Sequence, residues 1–249
     1  MIACVAGGTS GIGAEVARLL LERGDEVVVI GRGEDHAAEF RSSAGDDVAL
    51  EVMVGDLTDP EFAAEVAAHL EAKDKGLGLL VNGAGSISGG GIRDESFRDW
   101  RRVMEANLDT AFNLTRACLG ALEKAGDSVI VNISSVCSLR PCSSLSYSVS
   151  KAGMDMFTRC LARDLAPAKI RVNAVNPGVV RTNLQKSAGL FDDDESYGAW
   201  VEEMKSAHPL GRIGEPRDIA EAVLYLADGE RAGWVTGAIL SVDGGRAVA

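Results

Sequence analysis

Tyr147 and Lys151 stand four residues apart in a run with helical spacing. Both side chains therefore leave one face of a helix, about 5 to 6 Å apart at Cβ. A phenol with an ordinary pKa near 10 is a poor proton shuttle at neutral pH, and an adjacent ammonium favours the phenolate and lowers that value. A phenol so tuned gives a proton to a carbonyl oxygen or takes one from an alcohol. Ser135, at the end of the apolar run Ser128–Ile133, offers a hydroxyl to an oxygen that becomes more negative during such a reaction. A Tyr–Lys pair at this spacing is more often a surface pair in an arbitrary protein, so its weight rests on its surroundings. The strongest is Ala6-Gly7-Gly8-Thr9-Ser10-Gly11-Ile12-Gly13. It follows one apolar run and opens an amphipathic one, where glycines let backbone N–H groups approach a pyrophosphate at a helix N-terminus.

The elements that must position these groups follow from the apolar pattern. Short runs rich in Val, Ile and Leu occur at Ile2–Ala6, Glu26–Ile30, Val48–Val54, Leu77–Asn82, Ser128–Ile133, Ile170–Val175 and Ala238–Val242. Most are apolar throughout, as strands covered on both faces are. Helical periodicity lies between them: Gly13, Val16, Ala17 and Leu20 recur at i, i+3, i+4 and i+7, with Gly24 placed to stop the turn. Similar stretches run from Pro60 to Lys73, Phe97 to Lys124, Tyr147 to Leu165 and Pro216 to Ala227. Strict alternation predicts an α/β fold: one Rossmann-type, doubly wound domain over residues 1–249, with a seven-stranded parallel sheet and helices on both faces. Ligands of such a fold bind at the carboxyl ends of the strands.

Composition narrows the classes. The 249 residues carry 25 Lys+Arg against 37 Asp+Glu, a net charge of −12, with 46% hydrophobic residues. That balance suits an ordinary soluble globular protein and would repel a phosphate backbone, so nucleic acid is not expected as a partner. The longest uncharged stretch, Gly76 to Ile92, is broken by Gly, Ser and Asn, and no membrane span is expected. Cys4, Cys118, Cys137, Cys142 and Cys160 are scattered without a CxxC pair. Reduced thiols, a cytoplasmic location and no structural metal are the expectation.

The glycine spacing resembles that of the short-chain dehydrogenase/reductase family, usually written T-G-x-x-x-G-x-G, with Ala6 where Thr is common. Further marks of the family follow in order: Asp56 in GDLTD, Asn82-Gly83-Ala84-Gly85 with Gly83 replacing an Asn, Asn107 in MEANLDTAF, Ser135 in VNISSV, the Tyr147/Lys151 pair, Pro177-Gly178 with Thr182, and VTGAILSVDGG near the end. The resemblance spans nearly the whole chain and leans toward the 3-oxoacyl-thioester reductase-like ketoreductases. It implies catalysis by Asn107, Ser135, Tyr147 and Lys151, with Asn107 positioning a relay water and Lys151 also holding the nicotinamide ribose. It implies cofactor contacts from Gly7, Thr9, Ser10, Gly11, Ile12, Gly13, Arg32, Asp56, Leu57, Asn82, Gly83, Ala84, Gly85, Tyr147, Lys151, Pro177, Gly178, Val180 and Thr182. The family commonly places 13 positions between its Ser and Tyr. Ser134 satisfies that count and Ser135 does not, yet Ser135 is the second Ser of the NISS motif and is favoured here.

After the second strand, Gly31 occupies the place of the Asp that accepts from a ribose 2′-hydroxyl in NAD-preferring relatives, and Arg32 follows. Loss of the acid and gain of a planar bidentate donor point to NADP(H), with NAD(H) possible because Ser10 stands where many NADP users are basic. Ser135, Cys137, Tyr147 and Leu184 are expected to face a small-molecule carbonyl or alcohol. Residues 183–208, with Leu190, Phe191, Tyr197 and Trp200, read as a substrate loop, and Asp192–Glu195 as its solvated tip. Arg140 is either a ligand for a substrate acid or a surface cation. The leading reading is an NADPH-dependent ketoreductase. Its alternatives are an NAD-dependent dehydrogenase of a sugar, steroid or secondary-metabolite alcohol, and a catalytically silent nucleotide-binding subunit. Homotetramers, or dimers, are expected by resemblance, with Met154, Met156 and Phe157 as candidates for the shared face.

Overall fold

Residue-by-residue alternation of side chains between the two faces of one sheet builds the molecule. In a computed structural model describing residues 1–45 and 48–249, seven strands form one parallel sheet: β1 (Ile2–Ala6), β2 (Glu26–Gly31), β3 (Leu50–Val54), β4 (Leu79–Asn82), β5 (Ser128–Ile133), β6 (Ile170–Pro177) and β7 (Ile239–Val242), in the order β3-β2-β1-β4-β5-β6-β7. Alternate residues serve opposite faces. Ala3, Val5, Val27, Val29, Val129 and Val131 pack on one side and Ile2, Cys4, Val28, Ile30, Leu80 and Ile130 on the other. Central strands β1, β4 and β5 are buried throughout, whereas the edge strands β3 and β7 are half-covered.

The helices are α1 (Gly11–Glu22), α2 (Glu34–Ala44), α3 (Pro60–Glu71), α4 (Phe97–Met104), α5 (Thr110–Ala117), α6 (Leu119–Ala125), α7 (Leu145–Leu165), α8 (Leu184–Ser187), α9 (Asp194–Ser206), α10 (Pro216–Ala227) and α11 (Gly229–Ala232). Helices α1 and α10 bring Leu20, Ile219 and Val223 to one sheet face; α3, α5 and α6 bring Leu70, Leu114 and Leu122 to the other. Truncating any one of these buried leucines to Ala costs about 2 to 5 kcal/mol.

Boundaries follow local chemistry. Asp59 accepts the Glu61 N–H at 2.9 Å ahead of Pro60, and Pro216 likewise opens α10 after Glu215. The single helix expected over Phe97–Lys124 is instead three helices. A π-helical turn, Glu105–Asp109, separates α4 from α5, and Cys118 separates α5 from α6. Helix α2 is absent from the sequence reading because only Ala37 and Phe40 of its eleven residues are buried, too few to mark a helical stripe.

The chain leaves β3 at one edge and crosses to β4 beside β1, so the strand order reverses between β1 and β4. Their carboxyl ends, Ala6 and Asn82, are paired in register. This is the position at which a doubly wound sheet opens a crevice.

Candidate active site

The crevice is built on backbone too close for side chains. Gly7 has φ +70°, and a Cβ on it would lie 2.8 Å from the Ala84 nitrogen; a Cβ on Gly13 would lie 2.3 Å from the Gly7 oxygen. The turn therefore folds tightly under the start of α1. Ser10 at the N-cap makes no side-chain capping bond, which leaves N–H groups of the first turn facing outward. Such a cradle fits a pyrophosphate.

A cleft of about 1300 Å³ runs along the carboxyl ends of the strands. Gly7, Thr9, Ser10, Gly11, Ile12 and Gly13 line it beside Thr182, and Gly83, Ala84 and Gly85 line it beside Pro177, Gly178 and Val180. At one end lie Arg32, Asp56 and Leu57, joined by Gly33, His36 and Thr58. Asp56 accepts both the N–H and the hydroxyl of Thr58 at 2.9 Å, which fixes its carboxylate at the cleft wall. A Cβ on Gly31 would come 2.5 Å from the Thr9 side chain. An acid at this place is therefore incompatible with Thr9 as it stands, and the neighbouring side chains exposed to the cleft are Arg32 and His36. His36 escaped the sequence reading because α2, which carries it, escaped too.

At the middle of the cleft Tyr147, Lys151 and Ser135 converge. Ser144 caps α7 by accepting the Tyr147 N–H at 3.4 Å, and four residues later Lys151 follows on the same face. Lys151 Nζ donates to the Ile133 carbonyl at 2.8 Å and lies 5.5 Å from the Tyr147 ring centre. The Ser135 hydroxyl lies near the Tyr147 phenol, whose ionisation it favours, lines the same cleft and accepts the Cys137 N–H at 3.1 Å. Ser134 points elsewhere, donating to the Lys151 carbonyl at 3.1 Å. The geometry thus distinguishes the two serines that spacing left open: Ser135 stands against the phenol and Ser134 holds the helix.

Electrostatically the pair differs from the expectation of a phenol lowered by its neighbour. Burial pushes the Tyr147 phenol well above its ordinary value, with Cys137 adding to the rise and Ser135 opposing it. Burial also pulls Lys151 down to about 8, against the pull of the Asp155 charge. Lys151 spends its ammonium on a carbonyl, so desolvation outweighs the mutual effect.

One expected contact is corrected. Asn82 does not line the cleft: it is buried, donating to Asn132 Oδ1 at 2.8 Å and Thr115 Oγ1 at 3.1 Å. Asn107 also lies behind the wall, fully buried in the π turn. It accepts the Ser86 N–H at 2.7 Å and donates to the Ser86 carbonyl at 3.0 Å and Ser150 Oγ at 2.8 Å. Its amide therefore clamps the loop after Gly85 onto α7. Sequence reasoning also missed Glu95, which accepts the Ser146 N–H at 3.0 Å and the hydroxyls of Ser146 and Ser88. This carboxylate binds the α7 N-terminus, one residue from Tyr147, where the helix dipole favours it.

Cys137 and Leu184 face the other end of the cleft with Leu190, Phe191 and Trp200. Phe191, Tyr197 and Trp200 form an aromatic cluster with ring centres 5.2 to 5.9 Å apart. Residues 183–208 thus hold two helices rather than an open loop. Asp193, expected in a solvated tip, is exposed but caps α9 through Ser196, and Asp194 pairs with Lys186 at 2.6 Å. Arg140 donates to the Arg246 and Ala249 carbonyls at 2.7 and 3.1 Å, tying the pocket loop to the last turn of the chain. Of the expected subunit-face residues, Met154 is instead in the interior, while Met156 is exposed.

A family profile described as enoyl-(acyl carrier protein) reductase matches residues 6–247. The chain belongs to the short-chain dehydrogenase/reductase family. Within it, the chain is 33% identical to a 3-oxoacyl-(acyl-carrier-protein) reductase of Vibrio cholerae, covering 98% of this chain and 96% of that protein. It is 38% identical to a cis-4-hydroxycyclohexanecarboxylate dehydrogenase of Sinomonas cyclohexanicum, covering 98% and 95%. A Beutenbergia cavernae structure with NADP bound at low occupancy matches with a TM-score of 0.85 and 34% identity, covering 100% of this chain and 97% of that one. This short-chain dehydrogenase/reductase is accordingly an NAD(P)-dependent oxidoreductase of carbonyl and CH–OH groups. No helix among the described residues is long and apolar enough to cross a membrane.

Proposed function

We propose that the chain is an NADPH-favouring ketoreductase in which Tyr147 is the general acid and Ser135 the donor that holds the substrate oxygen. The observation that carries this reading is the convergence of Tyr147, Ser135 and Lys151 midway between the glycine cradle and the aromatic pocket. A phenol held protonated by burial suits proton donation to a carbonyl. When bound, the reduced nicotinamide supplies the hydride. As the substrate oxygen gains charge, Ser135 donates to it and Tyr147 delivers its proton. Lys151, lowered to about 8 by burial, is poised to exchange protons near neutral pH and, by family likeness, also holds the nicotinamide ribose. Asn107 acts by fixing the loop through which a relay water would reach Lys151.

Preference for NADP(H) is supported by Arg32 and His36 beside Gly31, where an acid would collide with Thr9. Residues 183–208 act as the substrate loop, and their aromatic cluster suits a carbonyl compound with an apolar portion. The enzyme so read works in the cytoplasm as a homotetramer or dimer, with exposed Phe112, Val149 and Met156 available to a second copy. Fluorescence titration with NADPH and NADH tests the cofactor, and a carbonyl screen with NADPH tests the reaction. Tighter NADPH binding with carbonyl turnover is the expected result; tenfold better efficiency with NADH would overturn the preference, and loss of all turnover the reaction.

A further inference from the structure

Two thiols that the proposed chemistry does not use lie across the substrate end of the cleft. Cys137 is two residues past Ser135 and fastened to it, its N–H donating to Ser135 Oγ at 3.1 Å. Cys142 closes the same loop just before α7. Its N–H donates to Ser148 Oγ at 3.2 Å, its sulfur is 3.3 Å from that hydroxyl, and the sulfur also reaches the Ser144 carbonyl at 3.8 Å. Both cysteines line the cleft and both are partly accessible, whereas Cys4 and Cys118 are buried in the core and Cys160 is exposed away from the cleft. The two thiols are near enough to bias each other's ionisation: the Cys137 thiol and the Ser148 hydroxyl hold Cys142 below the ordinary thiol range, while Cys142 and burial push Cys137 above it. A thiol so arranged is nucleophilic at neutral pH, with a second thiol placed to resolve it.

We propose that Cys137 and Cys142 are a reversible dithiol that low-molecular-weight disulfides oxidise, and that the resulting bridge shuts down turnover at Tyr147 and Ser135. Only the effect on turnover rests on the reductase reading; the thiol chemistry stands by itself. The Cys142 thiolate attacks one sulfur of the small disulfide, forming a mixed disulfide and expelling one thiolate. The Cys137 sulfur, giving up its proton, then attacks Cys142 Sγ and expels the second. The small disulfide is reduced to two thiols and the protein dithiol is oxidised to one disulfide. A sulfur–sulfur bond of about 2.05 Å is much shorter than a thiol–thiol contact. Closing it draws Cys137 toward Cys142 and pulls its N–H from Ser135, the group that must meet the substrate oxygen.

The test treats the full chain with glutathione disulfide at neutral pH, alkylates the remaining thiols, and maps them by mass spectrometry alongside turnover. The expected result is a Cys137–Cys142 cross-linked peptide lacking two hydrogens, with turnover at least tenfold lower, as loss of one pre-placed donor implies, and recovered with dithiothreitol. Cys142→Ser, compared with its own untreated sample, yields no cross-link and no loss of turnover. Phenylarsine oxide, which needs two thiols, binds the native chain in equal amount and fails to bind Cys142→Ser. Alkylation of both Cys137 and Cys142 after oxidation, or glutathione adducts confined to Cys160, overturns the dithiol. A cross-link without loss of turnover overturns its effect on catalysis. A cross-link in a chain that turns over no carbonyl at all sinks the reductase reading and leaves the dithiol standing.

Discussion

Burial of Lys151 makes a prediction that can be worked in numbers. Its ammonium has an ordinary pKa of 10.5 and is lowered to about 8 in the folded chain, chiefly by desolvation. A base whose folded value is lowered binds fewer protons folded than unfolded between those two values, so stability rises with pH across that window. From pH 7.5 to 9.5 this one group adds about 2 kcal/mol to the free energy of unfolding. Lys151→Met removes the titration while keeping a side chain of similar length. It also leaves the Ile133 carbonyl without its donor, a cost independent of pH that cancels in the comparison. The assay is urea unfolding of both chains without cofactor at several pH values across the window. The native chain should gain about 2 kcal/mol relative to the variant as pH rises. A difference that stays flat, or that falls, would refute the assignment of a desolvated ammonium to this site.

Tyr147→Phe removes the transferable proton and should cut turnover by about 10² or more while leaving cofactor affinity nearly intact, read from steady-state rates beside a fluorescence titration. Lys151→Ala should lose both turnover and cofactor affinity, so unchanged affinity would remove its proposed ribose contact. Arg32→Ala should weaken NADPH binding about tenfold, equivalent to about 1.4 kcal/mol, and leave NADH binding unchanged. Glu95→Ala strips three hydrogen-bonding groups of Ser146 and Ser88 of their acceptor and should cost about 2 kcal/mol in urea unfolding.

The strands were legible because parallel strands covered on both faces are continuous apolar runs, and β1 and β5 match their sequence bounds while β2 and β6 extend them by one and two residues. The chemistry was legible where it depends on spacing along one element: Tyr147 and Lys151 share a face of α7 because they are four apart. It failed where distance in space decides. Asn82 sits at the end of a lining strand, but the side-chain alternation of β4 turns it toward Asn132 and Thr115. The π turn around Asn107 has no period of its own to read, since one extra residue in a long helix leaves the apolar stripe nearly continuous. Glu95 and His36 lie on exposed segments whose charge marks them as ordinary surface until the fold carries them to Ser146 and to the cleft.

The departure at Tyr147 and Lys151 reaches furthest. Proximity in sequence suggests a phenol eased toward ionisation by its neighbour, yet burial raises the phenol and lowers the ammonium. Each group is thereby pushed toward its neutral form, and an uncharged acid beside a nearly neutral base delivers a proton without first forming a buried ion pair. The same burial is a cost to the fold, because the Lys151 ammonium must lose its water to sit under Ile133. The chain tolerates this because the carbonyl partner and Asp155 oppose the loss. A site selected only for stability would hold an apolar side chain at position 151. That it holds a lysine, four residues from a phenol that lines the same cleft as Ser135, is the expense of function written into the core.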